Sequence, residues 1–195
     1  MTNLMAKLFL LRHLQSQWNL ENRFTGWTDI PLSEEGVESA KEVAKKFANL
    51  RIDKAYTSSL TRNRKSASLI LENLNQKDVP IIFDKALDER NYGKLQGLNK
   101  DEVRAEYGEE QVRLWQKSWD QPPPEGESLK DVYNRIIPFY QEYIEKDLNQ
   151  GKNILVVTSH NSLRALIKHI EKISDQEIAN LEIKTGELRE YEIQG

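Results

Sequence analysis

The chain has 195 residues, in which 28 Lys and Arg against 31 Asp and Glu leave a formal net charge of -3 at pH 7. Because the opposite charges nearly balance, the chain creates no overall electrostatic field that would attract nucleic acid or a membrane surface. An anionic partner must therefore be recognised by a local cluster of cationic residues. The lack of cysteine excludes a disulfide framework, thiolate catalysis and Cys-ligated metal sites. The length suits one domain, residues 1–195, around a sizeable core.

The amino-terminal segment, residues 1–11, is too short and too weakly apolar for a secretory signal peptide. No apolar run approaches the ~18 residues of a membrane-spanning helix. We therefore expect a cytoplasmic protein without a membrane partner.

Strands and helices alternate through the first half of the chain. Residues 8–11 form a short apolar run typical of a buried strand, and Ser33 caps a helix with acidic residues in its first turn. Residues 52–57 predict a second strand, 60–74 a helix and 79–83 a third strand. The helix that begins at Ser33 has an apolar face made of Val37, Ala40, Ala44, Phe47 and Ala48.

The second half begins with a segment that lacks strand signals, residues 87–124, and predicts loop and short helices inserted over one end of the sheet. Ser128 caps a long helix to about residue 148, in which Pro138 predicts a kink. Residues 154–158 predict a buried parallel strand, and 188–193 an edge strand. This alternation predicts an α/β fold, a three-layer sandwich with a mostly parallel sheet and helices on both faces.

The first apolar strand ends at an arginine and a histidine. Arg12 and His13 directly follow residues 8–11, so an α/β fold places both at the carboxyl end of the sheet, where ligands bind. Histidine is a nucleophile near neutral pH, and arginine is a permanent cation whose planar donors match phosphate oxygens. The pair therefore predicts a site that receives a phosphoryl group on the imidazole.

His160 follows the strand 154–158 as His13 follows the first strand. If the two strands are neighbours, both imidazoles lie in one crevice, and the helix after His160 adds backbone N–H donors for an anion. Capping or packing is the alternative for a lone strand-end histidine, but its combination with Arg12 and His13 favours the functional interpretation. The third histidine, His169, lies within a helix, and no spacing resembles a metal site.

Two strings stand out beside the Arg12-His13 pair: Phe24-Thr25-Gly26-Trp27 and Leu95-Gln96-Gly97-Leu98-Asn99-Lys100. With other motifs along nearly the whole chain, they resemble the cofactor-dependent phosphoglycerate mutases of the histidine phosphatase superfamily. An Arg-His pair alone indicates only the superfamily, whereas the two longer strings are typical of the mutase branch. Further matches, in order, are residues 10–13, 16–19, 28–29, 32–33, 87–93, 107–112, 126–131 and 161–166.

The resemblance implies interconversion of 3-phosphoglycerate and 2-phosphoglycerate through a phosphohistidine, primed by 2,3-bisphosphoglycerate and without a metal. The partner is then a small phosphorylated three-carbon acid. The sequence does not decide whether the protein forms a homo-oligomer. His13 is the implied nucleophile, while Arg12 and Arg62 hold the transferring phosphoryl group. His160 is an implied donor to its oxygens, and Glu89 an implied general acid and base rather than a surface carboxylate paired with Arg90. Implied contacts to substrate phosphate or carboxylate come from Asn19, Thr25, Gly26, Tyr92, Lys100, Lys117 and Asn161.

The chain departs from the family pattern beside both histidines. Leu14 stands where the family has glycine, and Ser159-His160-Asn161 lacks the glycine of the family's His-Gly-Asn. A one-residue gap aligns His160 with the family histidine. An ungapped alignment from Asn161 instead puts Ser159 at that position, and the sequence leaves both open.

Two further departures concern the inserted segment. Gln116 and Lys117 replace two consecutive family arginines, so a bidentate partner for a distal anion is lost while Lys117 keeps a point charge. The chain also lacks an insertion that many members carry after Pro124, and it ends at Gly195 without their carboxyl-terminal tail. We therefore expect residues 87–124 to cover the site.

Two other functions fit the same residues. A phosphohistidine-dependent phosphatase on a small phosphoester differs only in passing the phosphoryl group to water. A non-catalytic anion-binding module would explain Leu14 and the missing glycine, but such a module needs no proton-shuttling carboxylate like Glu89. Tyr92, Lys100 and the loop from Phe24 to Trp27 favour the mutase.

Overall fold

The computed structural model describes residues 5–47 and 50–194, and a five-stranded sheet forms its centre. The strands are β1 Met5–Arg12, β2 Lys54–Thr57, β3 Ile81–Phe83, β4 Ile154–Thr158 and β5 Leu188–Gln194. Their order across the sheet is β3-β2-β4-β1-β5. The first four are mutually parallel and β5 runs antiparallel to β1 at the edge, so the sheet is mostly parallel as the sequence predicts.

Helices connect the parallel strands. The first half contains α1 Gln17–Leu20, α2 Glu34–Glu38, α3 Ala40–Ala44 and α4 Thr61–Asn73. The second half contains α5 Lys100–Tyr107, α6 Glu109–Lys117, α7 Leu129–Phe139, α8 Lys146–Asn149 and α9 His160–Glu171. Short 3-10 helices span Lys45–Phe47, Lys85–Leu87, Gly93–Leu95 and Glu177–Asn180. Across residues 5–47 and 50–194, no helix is long and apolar enough to cross a membrane.

The sheet buries both of its faces because successive strand side chains point in opposite directions. On one face, Leu8, Leu10 and Val156 pack in a core that includes residues of α7 and α9. On the other face, Phe9 and Leu11 pack in a core that includes residues of α3 and α4. The two cores confirm the predicted sandwich of helices on both sides of a sheet.

The segment after Ser33 differs from the single helix predicted there. It divides at Ser39, whose hydroxyl donates to the Gly36 carbonyl oxygen at 2.7 Å, and it ends in a 3-10 turn. Gly36 is itself required, because a Cβ atom at this position would lie 2.1 Å from the Gln15 carbonyl oxygen. Ala48 lies outside the described residues.

The other predicted boundaries are close to those observed. β2 and β3 each begin two residues later than predicted, at Lys54 and Ile81. Ser128 forms a capping box with Asp131 at the start of α7. Pro138, which lacks an N–H group, precedes a π-helical turn at Tyr140–Glu145 that joins α7 to α8.

The inserted segment folds over the carboxyl ends of the strands and contributes α5 and α6. It has a small apolar cluster of its own, in which Leu95, Val103, Val112 and Trp115 pack with Phe24 of the loop after β1. Backbone hydrogen bonds join Phe24 to Leu98 at 3.0 Å and Gly97 to Phe24 at 2.8 Å. The segment is therefore fixed to the loop that follows His13.

Candidate active site

A cavity of about 290 Å³ opens where β1 and β4 end. The two strands are neighbours, with Arg12 paired to Thr158, and the His13 N–H donates to the Thr158 carbonyl oxygen at 3.0 Å. This register brings both strand-end histidines to one cavity. Of the predicted site residues, those lining it are Arg12, His13, Asn19, Thr25, Gly26, Arg62, Glu89, Tyr92, Lys100, Lys117 and His160.

His13 is only 3% exposed. Its Nδ1 lies 2.6 Å from the Leu14 carbonyl oxygen, which can only accept, so Nδ1 carries the proton and Nε2 keeps its lone pair. Burial, with Arg62 and Arg12 nearby, lowers the pKa of His13 well below its ordinary value. The imidazole is therefore neutral, and its nucleophilic nitrogen is available near neutral pH.

Leu14 fits the position where the resembling family has glycine. Its backbone is not among the left-handed residues of the described chain, and its side chain is buried in the core between the sheet and α3. The Leu14 N–H donates to Ser66 Oγ at 3.0 Å. Because the residue adds apolar packing without backbone strain, this departure does not distort the histidine beside it.

Two guanidinium groups flank His13. Arg62 is 1% exposed and donates to the Gly26 carbonyl oxygen at 2.7 Å and to that of Thr28 at 3.0 Å. Arg12 donates from Nη1 to the Ile183 carbonyl oxygen at 2.6 Å, while its buried Nε has no hydrogen-bond partner among the described residues. Burial lowers the pKa of both groups, yet arginine stays protonated in proteins. The cavity floor therefore holds two fixed cations around a neutral imidazole.

His160, and not Ser159, faces the cavity. Ser159 is fully buried, and its Oγ accepts from Asn63 Nδ2 at 3.1 Å. His160 Nε2 lies 3.2 Å from a Glu182 oxygen without the alignment of a hydrogen bond. Burial, with Arg12 and Arg164 nearby, lowers the pKa of His160 well below its ordinary value. This placement matches the gapped alignment.

Glu89 is 6% exposed, and its backbone and carboxylate are both held in place. One carboxylate oxygen accepts from the Arg90 N–H at 2.7 Å and from the Asn161 N–H at 3.1 Å. The Glu89 carbonyl oxygen accepts from Trp27 Nε1 at 2.6 Å and Arg135 Nη2 at 3.0 Å. Glu89 is therefore not a surface carboxylate paired with the Arg90 side chain.

The sequence predicts that the start of α9 offers backbone N–H donors to a bound anion. In the structure, the N–H of Asn161 donates to the Glu89 carboxylate instead.

Asn161 is the one predicted site residue that does not line the cavity. Its Nδ2 lies 3.0 Å from the Tyr92 hydroxyl, which also accepts from Arg90 Nη2 at 3.0 Å. Lys100 lies nearby with Nζ 5.8 Å from the centre of the Phe24 ring, and burial lowers its pKa. Asn161 therefore positions Tyr92, whereas Tyr92 and Lys100 reach the cavity themselves.

The loop after His13 forms another wall. Asn19 completes a capping box with Ser16 at α1, which fixes the direction of its side chain. Gly26 has a φ of 55°, and a Cβ atom there would lie 2.1 Å from the Gln96 side-chain oxygen. Glycine is therefore required at this close approach between the loop and the inserted segment.

Two buried arginines that sequence reasoning did not select hold the end of α6. Arg90 Nη2 donates to the Gln116 carbonyl oxygen at 3.1 Å, and Arg164 Nη2 donates to that of Lys117 at 2.9 Å. Arg164 Nη1 also donates to Asn161 Oδ1 at 2.9 Å. Gln116 and Lys117, which line the cavity, are thus fixed through their backbone. The only sequence signal was the position of Arg90 and Arg164 inside matched motifs.

Other lining residues were also not predicted: Asn22, Arg23, Phe24, Arg104, Gln116 and Glu182. The arginines and lysines of the wall far outnumber its carboxylates, Glu89 and Glu182, so the cavity favours an anion. Among the described residues, no three His, Cys, Asp or Glu side chains cluster closely enough to hold a metal ion. With a neutral nucleophile and fixed cations, this cavity has the parts for phosphoryl transfer.

Comparison with known proteins assigns the family. The sequence signature of the histidine phosphatase superfamily (branch 1) matches residues 8–195, and the chain belongs to that superfamily. It is 47% identical over 188 residues to the 2,3-bisphosphoglycerate-dependent phosphoglycerate mutase of Cytophaga hutchinsonii, covering 96% of this chain and 88% of the relative. A protein of the same name from Bradyrhizobium sp. strain BTAi1 is 49% identical over 181 residues, covering 92% and 87%.

Solved structures share the fold at lower sequence identity. A phosphoglycerate mutase from Bacillus anthracis strain Sterne superposes with a TM-score of 0.81 at 23% identity, covering 98% of this chain and 89% of that one. A mycobacterial glucosyl-3-phosphoglycerate phosphatase superposes with a TM-score of 0.83 at 22% identity, covering 95% and 89%. At these identities the structural similarity supports the α/β fold alone.

Proposed function

We propose that this chain interconverts 3-phosphoglycerate and 2-phosphoglycerate through a phosphohistidine at His13. The observation that carries the proposal is the neutral, buried His13 imidazole with Nε2 free at the floor of a cationic cavity. The mutases named above, at 47% and 49% identity over nearly the whole chain, support this reaction. The substrate is accordingly a small phosphorylated three-carbon acid.

The reaction begins with His13 phosphorylated on Nε2, and this phosphoryl group passes to the free hydroxyl of bound 3-phosphoglycerate as the bond to Nε2 breaks. Arg12 and Arg62 hold the phosphoryl oxygens, where fixed guanidinium donors stabilise the charge of the transition state. His160 stands at the same cavity as a further donor to those oxygens. Nε2 then attacks the phosphorus of the original phosphate, the substrate oxygen leaves on the opposite side, and 2-phosphoglycerate is released while His13 is again phosphorylated.

Glu89 moves the proton in this mechanism. It lines the cavity, and its carboxylate is oriented by the N–H groups of Arg90 and Asn161. A carboxylate in hydrogen-bond reach of a substrate hydroxyl accepts its proton as the hydroxyl attacks and returns one to the leaving oxygen. Tyr92, Lys100 and Lys117 bind the other end of the acid.

The residues present fit 2,3-bisphosphoglycerate. Within residues 5–47 and 50–194 the buried Arg12 Nε has no hydrogen-bond partner, and cationic side chains line both the floor and the rim of the cavity. The resident cations therefore match a ligand with two phosphates and a carboxylate. When bound, this compound supplies the phosphoryl group that charges His13. We further propose a single domain over residues 1–195, acting in the cytoplasm where glycolytic intermediates are found.

Incubation of the purified protein with 3-phosphoglycerate, with and without 2,3-bisphosphoglycerate, tests the proposal. We expect 2-phosphoglycerate to form, faster with the primer, and an acid-labile phosphoenzyme to accumulate. A folded His13→Ala variant serves as the matched control and should form neither. Absence of 2-phosphoglycerate under both conditions would refute the mutase activity.

One observation favours a phosphatase as the second candidate. Gln116 stands at the cavity wall where the resembling family has an arginine, so the distal end of the acid is held less firmly. A phosphatase would release inorganic phosphate in step with substrate loss, whereas a mutase conserves it in the isomer. Measuring phosphate and 2-phosphoglycerate in the same reaction separates the two functions.

A further inference from the structure

A carboxylate of the protein itself enters the anion-binding cavity. Glu182 lies on the segment between the 3-10 helix Glu177–Asn180 and β5, and it lines the cavity wall. Its carboxylate pairs with Lys117 Nζ and lies 3.2 Å from His160 Nε2. These partners come from α6 and α9, so a single side chain connects the inserted segment with the helix that follows β4.

The backbone around Glu182 is held by hydrogen bonds, whereas its side chain is largely exposed. The carbonyl oxygen of Ile183 accepts from Arg12 Nη1 at 2.6 Å, and Ile183 is 2% exposed. The carbonyl oxygen of Ile178 accepts from Arg164 Nη2 at 2.7 Å. By contrast, the Glu182 side chain is 60% exposed. The carboxylate can therefore leave its partners by side-chain rotation, without movement of the backbone that holds Arg12.

The surroundings of Lys117 explain why an anion is held there. Burial, with Arg164, Lys100, Arg90 and Arg12 nearby, lowers the pKa of Lys117 to about 8. Several cations are thus crowded at this side of the cavity, and a negative group relieves their repulsion. Glu182 supplies that charge.

We propose that Glu182 is a displaceable internal anion, which occupies the Lys117 and His160 contacts until an anionic substrate takes them over. An incoming acid must therefore replace both contacts to enter. A ligand with two anionic ends can do so, whereas a singly charged or neutral ligand gains less. Glu182 thereby lowers the affinity for all anions and selects for those that satisfy both partners.

This inference rests on the proposed function only for the identity of the displacing acid, so its first test uses inorganic phosphate. Calorimetric titration at fixed ionic strength compares the full-length protein with Glu182→Gln, which keeps the side-chain shape and removes the charge. We expect Glu182→Gln to bind phosphate about 5-fold more tightly, the effect of removing one partly exposed competing ion pair. The same gain is expected for 3-phosphoglycerate.

Glu177→Gln is the control, because it makes the same charge change on the preceding 3-10 helix, outside the cavity wall. Its phosphate affinity should stay at the wild-type value. A second background, Lys117→Met, removes one partner of Glu182, and the gain from Glu182→Gln should shrink there. An undiminished gain would show a long-range charge effect and overturn the proposal.

Two other outcomes are decisive. Equal or weaker phosphate binding by folded Glu182→Gln, with thermal unfolding unchanged, would overturn the displacement and make Glu182 a support for Lys117. Tighter phosphate binding without any binding of 3-phosphoglycerate to either protein would uphold the role of Glu182. That result would count against the proposed substrate alone.

Discussion

The two buried imidazoles make the stability of the fold depend on pH. His13 and His160 both have pKa values far below the ordinary histidine value, and in both the largest cause is burial. In the unfolded chain the two rings return to a pKa of about 6.5. Below that pH the unfolded state binds more protons than the folded state, so stability falls on acidification.

The size of this stability loss follows from the difference between the folded-state and unfolded-state pKa values of the two rings. Above about pH 6.5 each ring is neutral in both states and adds no pH dependence, whereas each pH unit below it costs about 1.4 kcal/mol per ring until the depressed pKa is reached. Between about pH 7.5 and 5.5 the two rings together therefore cost at most about 3 kcal/mol, the limit that the unfolded-state pKa sets. Since total stabilities are about 5–15 kcal/mol, urea denaturation can resolve this loss.

Urea unfolding of the wild type, His13→Gln and His160→Gln at both pH values tests the argument. Each variant replaces a titrating ring by a neutral amide, so each should lose up to about half of this pH dependence, whatever its stability at pH 7.5. His169→Gln is the control, because His169 is only partly buried and bonds the Tyr133 hydroxyl at 3.0 Å. Its pH dependence should change less. An identical pH dependence in the wild type and His13→Gln would refute a neutral, buried His13.

Three further outcomes test the proposed roles. His13→Ala should abolish turnover and the acid-labile phosphoenzyme while keeping the fold, and wild-type activity in the folded variant would contradict the nucleophile. Glu89→Gln should slow isomerisation much more than phosphoenzyme formation from a good leaving group, measured by single-turnover kinetics, and equal losses would indicate a structural role. His160→Ala should cost about 2–4 kcal/mol in transition-state stabilisation from kcat/KM, as for one preorganised donor, while Ser159→Ala costs little. The opposite ranking would move the role to Ser159.

The sequence predicts where the two histidines of the site lie because both follow directly on the ends of strands. Continuous apolar runs identify β1 and β4, and a parallel sheet brings the residues after such strands to one edge. The structure makes these strands neighbours in the register of Arg12 with Thr158. His13 and His160 therefore meet at one cavity, as predicted from two local patterns.

The cavity wall depends on contacts between distant segments, which local patterns do not contain. Arg164 lies in an apolar helix motif, yet its guanidinium holds carbonyl oxygens of α6 and of the 3-10 helix Glu177–Asn180. Glu182 lies in a charged, irregular segment that resembles any surface loop. No periodicity relates these positions, so the sequence could predict neither the anchoring of Lys117 nor its acidic partner.

Ser159 and His160 show how a one-residue shift in a sequence alignment changes which side chain is assigned to the site. β4 ends at Thr158, Ser159 is the N-cap of α9, and His160 is its first helical residue. At this turn successive side chains point in different directions: Ser159 points inward to Asn63, and His160 reaches the cavity. A motif alignment locates a site residue only to within a one-residue gap. At the turn from strand to helix, by contrast, a shift of one residue changes the direction of the side chain. The backbone geometry therefore places His160 at the cavity and Ser159 away from it, and the contrast between the two alanine variants tests the proposed role of His160 directly.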